Sequence, residues 1–404
     1  MSFPIVVDTK DQVRTPAEAR VDLAAIRHNV GLLSELAAGA DVMVAVKADA
    51  YGHGLVPSAR AALEGGATRL GTAFVREALA LRAEGITAPI LAWLITPDEP
   101  LDEALLQGVE LSASAPWLID AIVAAAARTG RTARVHLEVD TGMSRGGAPL
   151  SAWPALIESA LAARAEGAVE IAGMWSHFAC ADIPGHPATE AQLAAFGEAL
   201  RIADAMRVPS DAIRHIANSA AAFTLPQARY DMVRPGIASY GLSPIPEMGD
   251  FGLRPAMTLV ARLAQAKRVP AGSGVSYGHL YVTERETTLA LVPLGYADGI
   301  LRGATNRAEM LLAGHRRRIS GRVCMDQFVV DAGDDVVAEG DEAILFGPGT
   351  RGEPTCQEWA DSLGTITHEI VTRIGSRVPR VYVDERGDRA DRAGSAPPSR
   401  GGQE

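Results

Sequence analysis

Cysteine is scarce: the 404 residues hold three, Cys180, Cys324 and Cys356, far apart and with no C-x-x-C pair. That count and spacing exclude a disulfide framework and a structural zinc site, and fit a reducing cytoplasm. No uninterrupted apolar run approaches the roughly 18 residues of a membrane span. The opening MSFPIVVDTK has no basic segment before its apolar run, which stops at Asp8, so it does not read as a signal peptide. Positive charge is in deficit, with 38 Lys and Arg against 49 Asp and Glu and a net charge of -11. Nucleic acid and anionic membrane surfaces are therefore repelled on average, which leaves small molecules as the expected partners. Hydrophobic residues at 48% and charged residues at 22% describe a packed globular chain long enough for two to three domains of roughly 150 residues.

From Val21 onward, short apolar runs alternate with Ala- and Leu-rich stretches of helical period. Strands are expected over 42–46, 70–74, 90–95, 109–112, 134–139, 171–176, 213–217 and 232–234, with helices such as 57–64, 75–84, 116–128, 153–165 and 190–206 between them. Eight such units suit an α/β (β/α)8 TIM-type barrel, although an open doubly wound sheet has the same strand count. After Tyr240 a Gly- and Pro-rich stretch leads into short β-type runs at 257–263, 288–292, 328–330 and 343–346. The expected division is an N-terminal extension over 1–16, a barrel over 17–248, a mostly β domain over 249–383 and a disordered tail over 384–404.

In a barrel the C-terminal strand ends face the active site. Lys47 follows five apolar residues, where desolvation would lower its pKa and free the amine as nucleophile or base; a solvent-reaching lysine is the plainer alternative. Arg145, in DTGMSR after the fifth strand, could grip a carboxylate or form a surface ion pair. His177 ends the sixth strand, as a catalyst or as a satisfied core group. Asn218 and Ser219 after the seventh strand, with Arg234, Gly236 and Ile237 after the eighth, combine small residues and free backbone N–H groups in a way that favours a phosphate. Neither G-x-x-x-x-G-K-[ST] nor G-x-G-x-x-G occurs there, so the phosphate need not be a nucleotide's. His136, Glu138, His177 and His215 could converge on a metal, but no H-x-H or H-E-x-x-H spacing supports one and none is expected.

The segments VAVKADAYGHG, DTGMSR, SHFA, HIANSAA, MVRPGI, VSYG, GYADG and RVCMDQ follow the order of eight family motifs, and from about Ala19 to Val383 the chain resembles alanine racemases. That resemblance implies pyridoxal 5'-phosphate as cofactor, L- and D-alanine as substrates, D-alanine destined for peptidoglycan, and a homodimer with active sites shared between subunits. Lys47 would form the Schiff base and act as base on one substrate face, with Tyr277 as the opposite base. Tyr51, Asn218, Ser219, Gly236 and Ile237 would hold the phosphate. Arg145 and the Met325 amide would grip the substrate carboxylate beside Tyr296, while His177 would neighbour the tyrosine and the pyridine ring. Tyr277, Tyr296 and Met325 would enter the site of the other subunit.

The resemblance sets Arg234 against the pyridine nitrogen. A guanidinium keeps its proton, so the ring is a weaker electron sink and racemisation is favoured over transamination. Two departures stand out. Glu138 occupies a position where many relatives carry a lysine, often carbamylated, and a carboxylate there supplies the same negative charge beside Arg145. His368 stands where a tyrosine is common; with Asp182 and Arg302 it forms a candidate gate, and it opens the alternative of serine or another small amino acid as substrate. A non-catalytic cofactor carrier and a decarboxylase share the barrel, but Tyr277 and CMDQ argue against the first and Arg234 against the second.

Overall fold

The computed structural model describes residues 15–384. The expected extension and tail, apart from Thr15, Pro16 and Asp384, lie outside the described residues. Eight parallel strands, Asp41–Ala45, Arg69–Thr72, Ile90–Ala92, Glu110–Ala113, Ala133–Asp140, Val169–Trp175, Ile213–His215 and Met232–Val233, form one continuous sheet in which the last pairs with the first. The remaining gap is spanned by two backbone bonds, from the Asp231 N–H to the Arg214 carbonyl (3.1 Å) and from the Arg234 N–H to the Ala217 carbonyl (2.9 Å). The sheet is thus a near-closed TIM-type barrel, as expected. Strands covered on both faces read as continuous apolar runs, and Val42 to Val46 is accordingly buried throughout.

The helices obey the same arithmetic. Pro116–Thr129 starts with proline, buries Leu118, Ile119, Ile122, Ala125 and Ala126 at a 3–4 spacing, and stops where Gly130 turns left-handed. After the eighth strand only a 3-10 turn, Ile237–Tyr240, follows. The vacant place on the ring is taken by the helix Leu23–Ala37, which precedes the barrel. The Asp22 carboxylate caps that helix by accepting from the Ala24 and Ala25 N–H groups. Buried Asn29 pins it, donating to the Ser239 and Arg254 carbonyls and accepting from the Arg254 N–H.

One boundary differs from expectation. Residues 17–22, counted with the barrel from sequence, form the strand Ala17–Asp22 of the second domain's sheet. It runs antiparallel to Met257–Arg262 and parallel to Arg380–Val383. The reason is its period of two: Ala17, Ala19 and Val21 are buried, while Arg20 points away to Glu18 (2.8 Å) and Glu342 (2.6 Å), which suits a sheet with one dry face. The rest of the mostly β domain adds Glu309–Leu312, His315–Arg318 and Glu342–Phe346 to that sheet, and a second sheet of Gln265–Val269, Thr287–Val292 and Phe328–Gly333.

Candidate active site

The first barrel strand delivers Lys47 to the mouth, and the chain then does something unusual. Ala48, Asp49, Ala50 and Tyr51 all sit at φ +54°, a left-handed turn built without glycine. Such a conformation costs roughly 1–2 kcal/mol per residue and persists only where its surroundings enforce it. The enforcers are explicit. Glu77 Oε1 accepts from the Ala48 N–H (2.7 Å), Asp49 Oδ1 from the Leu55 N–H (2.7 Å), and Arg380 Nε donates to the Gly52 carbonyl (2.9 Å). Buried His53 donates from Nδ1 to the Ala50 and Tyr51 carbonyls (3.1 and 3.0 Å). The turn buries the Tyr51 ring against Tyr240 and brings its hydroxyl so close to Gly236 that a Cβ there would run into it. Ser219 Oγ accepts from the Gly236 N–H (2.9 Å), and the Asn218 side chain from the Ala221 N–H (3.0 Å). Tyr51, Ser219 and Gly236 thus form one cradle in which only glycine fits at its narrowest point.

Across the mouth lies Arg234, 7% exposed, its guanidinium 4.8 Å above the Trp175 ring. It donates from Nη2 to the Ser176 carbonyl (2.7 Å) and to His177 Nδ1 (3.1 Å), and from Nη1 to His215 Nδ1 (3.1 Å). Burial pulls its pKa down to about 9, so it remains a cation at neutral pH. Burial, then Arg234, Arg145 and Lys47, hold His177 well below the usual imidazole range. It is neutral, and because arginine can only donate, its proton must sit on Nε2. Burial first, then the charges of Arg145 and Arg234, lower the Lys47 pKa against the raising effect of Glu77; its Nζ lies 5.7 Å from the Trp93 ring centre.

The rim carries Arg145, exposed, on a loop whose Gly142, Met143 and Ser144 N–H groups all donate to Asp140 Oδ1. Glu138 lies behind it. Burial pushes that carboxyl up to about 7 against the opposing charges of Arg234 and Arg145. A carboxyl raised in the folded state is protonated there without cost at low pH, and stability is lost as pH rises from its unfolded pKa of 4.5 through about 7. Glu138→Gln, which imitates the protonated form, is therefore expected to melt like the parent at pH 4 and above it at pH 8, by up to about 3 kcal/mol. Equal differences in melting temperature at the two pH values would refute the assignment.

Lys47, Tyr51, Glu138, Arg145, His177, Asn218, Ser219, Arg234, Gly236, Ile237, Asp182 and His368 all line one cavity of about 560 Å³. Four expected residues do not reach it within the chain. Tyr277, Tyr296 and Met325 stand on the second domain at 70%, 45% and 54% exposure, and Arg302 lies exposed on a 3-10 turn, Arg302–Ala304. They form a cluster of their own around one loop: Ser276 Oγ donates to the Arg322 carbonyl, the Tyr296 N–H to the Cys324 carbonyl, and the Val323 N–H to Thr305 Oγ1.

The cavity suits the cofactor that the resemblance implies: a desolvated amine for an aldehyde, a hydroxyl-lined cradle for a phosphate, and a fixed donor for a ring nitrogen. Among the described residues no three His, Cys, Asp or Glu side chains gather as a metal site. Sequence reasoning missed Glu77, Trp93 and Trp175. Glu77 carried a signal, since an acid in the first turn of a helix, five residues past the end of the second barrel strand, is a capping residue, and here it accepts from the Ala73 and Phe74 N–H groups. The two tryptophans carried none.

With that geometry established, likeness to known proteins can be weighed. Residues 21–244 match the family model "Alanine racemase, N-terminal domain", and residues 256–382 match "Alanine racemase, C-terminal domain". The alanine racemase of Thermobifida fusca is 62% identical over 366 residues, covering 91% of this chain and 98% of that protein. That of Frankia casuarinae is 60% identical over 369 residues, covering 90% and 96%. Among solved structures, the alanine racemase of a D-cycloserine-producing Streptomyces lavendulae superposes with a TM-score of 0.90 at 54% identity, over 92% of this chain and 98% of that one.

Proposed function

The chain belongs to the alanine racemase family, and from that premise we infer how its own residues interconvert L- and D-alanine with pyridoxal phosphate as cofactor. The observation that carries the reading is the placement of Lys47 and Arg234 on one cavity, an amine of lowered pKa and a guanidinium that can only donate. When bound, pyridoxal phosphate supplies an aldehyde that takes up the substrate amine and a ring that draws electron density from the Cα–H bond as it breaks. Lys47 holds the aldehyde at rest and moves the α proton on one face. Tyr51, Asn218, Ser219 and the backbone of Gly236 and Ile237 hold the phosphate. Arg234 donates toward the ring nitrogen and keeps it unprotonated, so proton return to Cα outruns transfer of the amine. Arg145 orients the substrate carboxylate, with Glu138 behind it, a carboxyl that is about half ionised near pH 7.

Inversion needs a second base on the opposite face, and Tyr277, the phenol expected in that role, does not line the cavity of its own chain. We infer a head-to-tail homodimer in which Tyr277, with Tyr296 and the Met325 amide, enters the cavity of a second copy. Three large side chains left exposed around one loop support this, as does His177, whose Nε2–H is turned away from Arg234 and free to donate to a phenol oxygen.

The deciding experiment incubates cofactor-supplied protein with L-alanine in heavy water and separates the enantiomers with mass detection. D-alanine carrying one deuterium is the expected product; unlabelled, unconverted L-alanine would overturn the reading.

His368 bears on substrate breadth. Its ring lies 6.0 Å from that of Tyr51, and its Nδ1 is buried with no hydrogen-bond partner among the described residues. Burial, then the Lys47 charge, lower its pKa to about 4, so it is neutral at pH 7. The His368 ring nonetheless lines the cavity, and its polar edge there can meet a hydroxyl, which serine brings and alanine does not. His368→Tyr is expected to lower the serine-to-alanine ratio of kcat/KM by about tenfold; an unchanged ratio would remove His368 from substrate selection.

A further inference from the structure

Through the barrel core runs a polar chain that the mechanism above does not use. Glu110, at the start of the fourth barrel strand, lies at the end of the barrel remote from the cavity. Its Oε2 accepts from His136 Nε2 (3.0 Å); His136 Nδ1 meets His215 Nε2 (2.9 Å); His215 Nδ1 meets Arg234 Nη1 (3.1 Å). Both histidines are fully buried, and Glu110 nearly so.

The direction of every link is forced. Arginine has no acceptor, so it donates to His215 Nδ1; the His215 proton is then on Nε2 and is donated to His136 Nδ1. The His136 proton is on its Nε2 and is donated to Glu110, whose carboxylate is held by Arg69 (3.0 Å) and Arg134 (2.9 Å). The surroundings leave little freedom. A Cβ on Gly173 would run into His136 Nδ1. The Trp175 ring lies nearly parallel to His215, at 4° and 5.9 Å, and is itself fixed by its Nε1–H to Ser112 Oγ (2.9 Å).

Barrel interiors are ordinarily filled by branched apolar side chains, and a buried polar string stabilises no better than such a filling. Its use must lie in what it does to Arg234. With one Nη1–H committed to the chain and both Nη2–H groups to Ser176 and His177, the Nε–H and the second Nη1–H are left without a protein partner among the described residues. We propose that Glu110 and His136 are positioning residues for Arg234: acting through His215, they lock the guanidinium so that its two remaining N–H groups are held in one fixed orientation. The proposal rests on Arg234 facing the cofactor ring.

The test begins on cofactor-free protein labelled with 15N-histidine, in which long-range NMR correlations report the protonated nitrogen of each ring. Nε2–H tautomers at His136, His215 and His177 are expected, and an Nδ1–H tautomer at His215 would overturn the chain. His136→Phe leaves His215 without its acceptor; the His177 resonances should shift, and kcat for alanine should fall about tenfold with KM within about twofold. His136→Gln, whose amide can accept and donate in the same places, should recover most of that loss. A His136→Phe protein with parental kcat and unmoved His177 resonances would refute the positioning role; if that variant does not fold, failure of His136→Gln to keep the His215 tautomer and kcat would do so. Wild-type protein inert toward alanine, with all three tautomers as stated, would overturn the racemase reading and leave the chain standing.

Discussion

Lys47→Ala is expected to fold as the parent does and to lose racemisation by at least about 10⁴-fold. The side chain sits half-buried at a cavity wall rather than in the core, and the bonds that hold the following turn come from Glu77, Asp49, His53 and Arg380, none of which touches the amine. Melting temperature should therefore move little. What disappears is the one amine in the cavity, and with it both the covalent hold on the cofactor and the proton carrier on that face. Absorbance of the dialysed protein and the deuterium assay read the two losses separately. Residual activity above about one per cent of the parent would show that another group moves the proton.

The second large effect concerns Tyr277. Tyr277→Phe alone should retain cofactor and lose nearly all D-alanine formation, because the imidazole next to it, His177, accepts from Arg234 at Nδ1 and carries its proton on Nε2, and so has no free nitrogen to take the α proton. Mixing it with inactive Lys47→Ala gives a sharper outcome. If each cavity takes its lysine from one chain and its tyrosine from another, a mixed dimer holds one intact site and one doubly altered site. Random exchange of equal amounts then restores about a quarter of wild-type activity from two inactive proteins. Sites built within single chains would give none at any ratio, so a mixture that stays inactive after verified subunit exchange would overturn the shared site.

Much of this was legible in the sequence because barrel strands are buried on both faces, so that several, Val42–Val46 most clearly, appear as apolar runs followed by polar residues at the mouth. Lys47, Arg145, His177, Ser219 and Arg234 could be picked out that way. Residues 17–22 fell on the barrel side of the expected boundary because a short alternating segment states a period and not a partner, and its partners lie some 240 and 360 positions away. The left-handed turn was invisible, since Ala-Asp-Ala-Tyr contains no glycine to announce it. His136 and His215 were weighed as metal ligands and set aside, and the sequence offered no other role because it does not say what stands next to an imidazole; an arginine at one end of the pair and a carboxylate at the other make them conductors of hydrogen-bond direction.

The strand Ala17–Asp22 also bears on how the protein is made. Its parallel neighbour, Arg380–Val383, is almost the last described segment to leave the ribosome, and at 5–20 residues per second it emerges on the order of 20–70 s after the first. The barrel, whose strands all pair between residues 41 and 233, can assemble during that wait, while the strand tethered to its leading helix stays unpaired until Met257–Arg262 emerges and half paired after that. Glu18 and Arg20, alternating with the apolar positions, keep that idle edge charged and so guard the nascent chain against sticking to its neighbours on the same message.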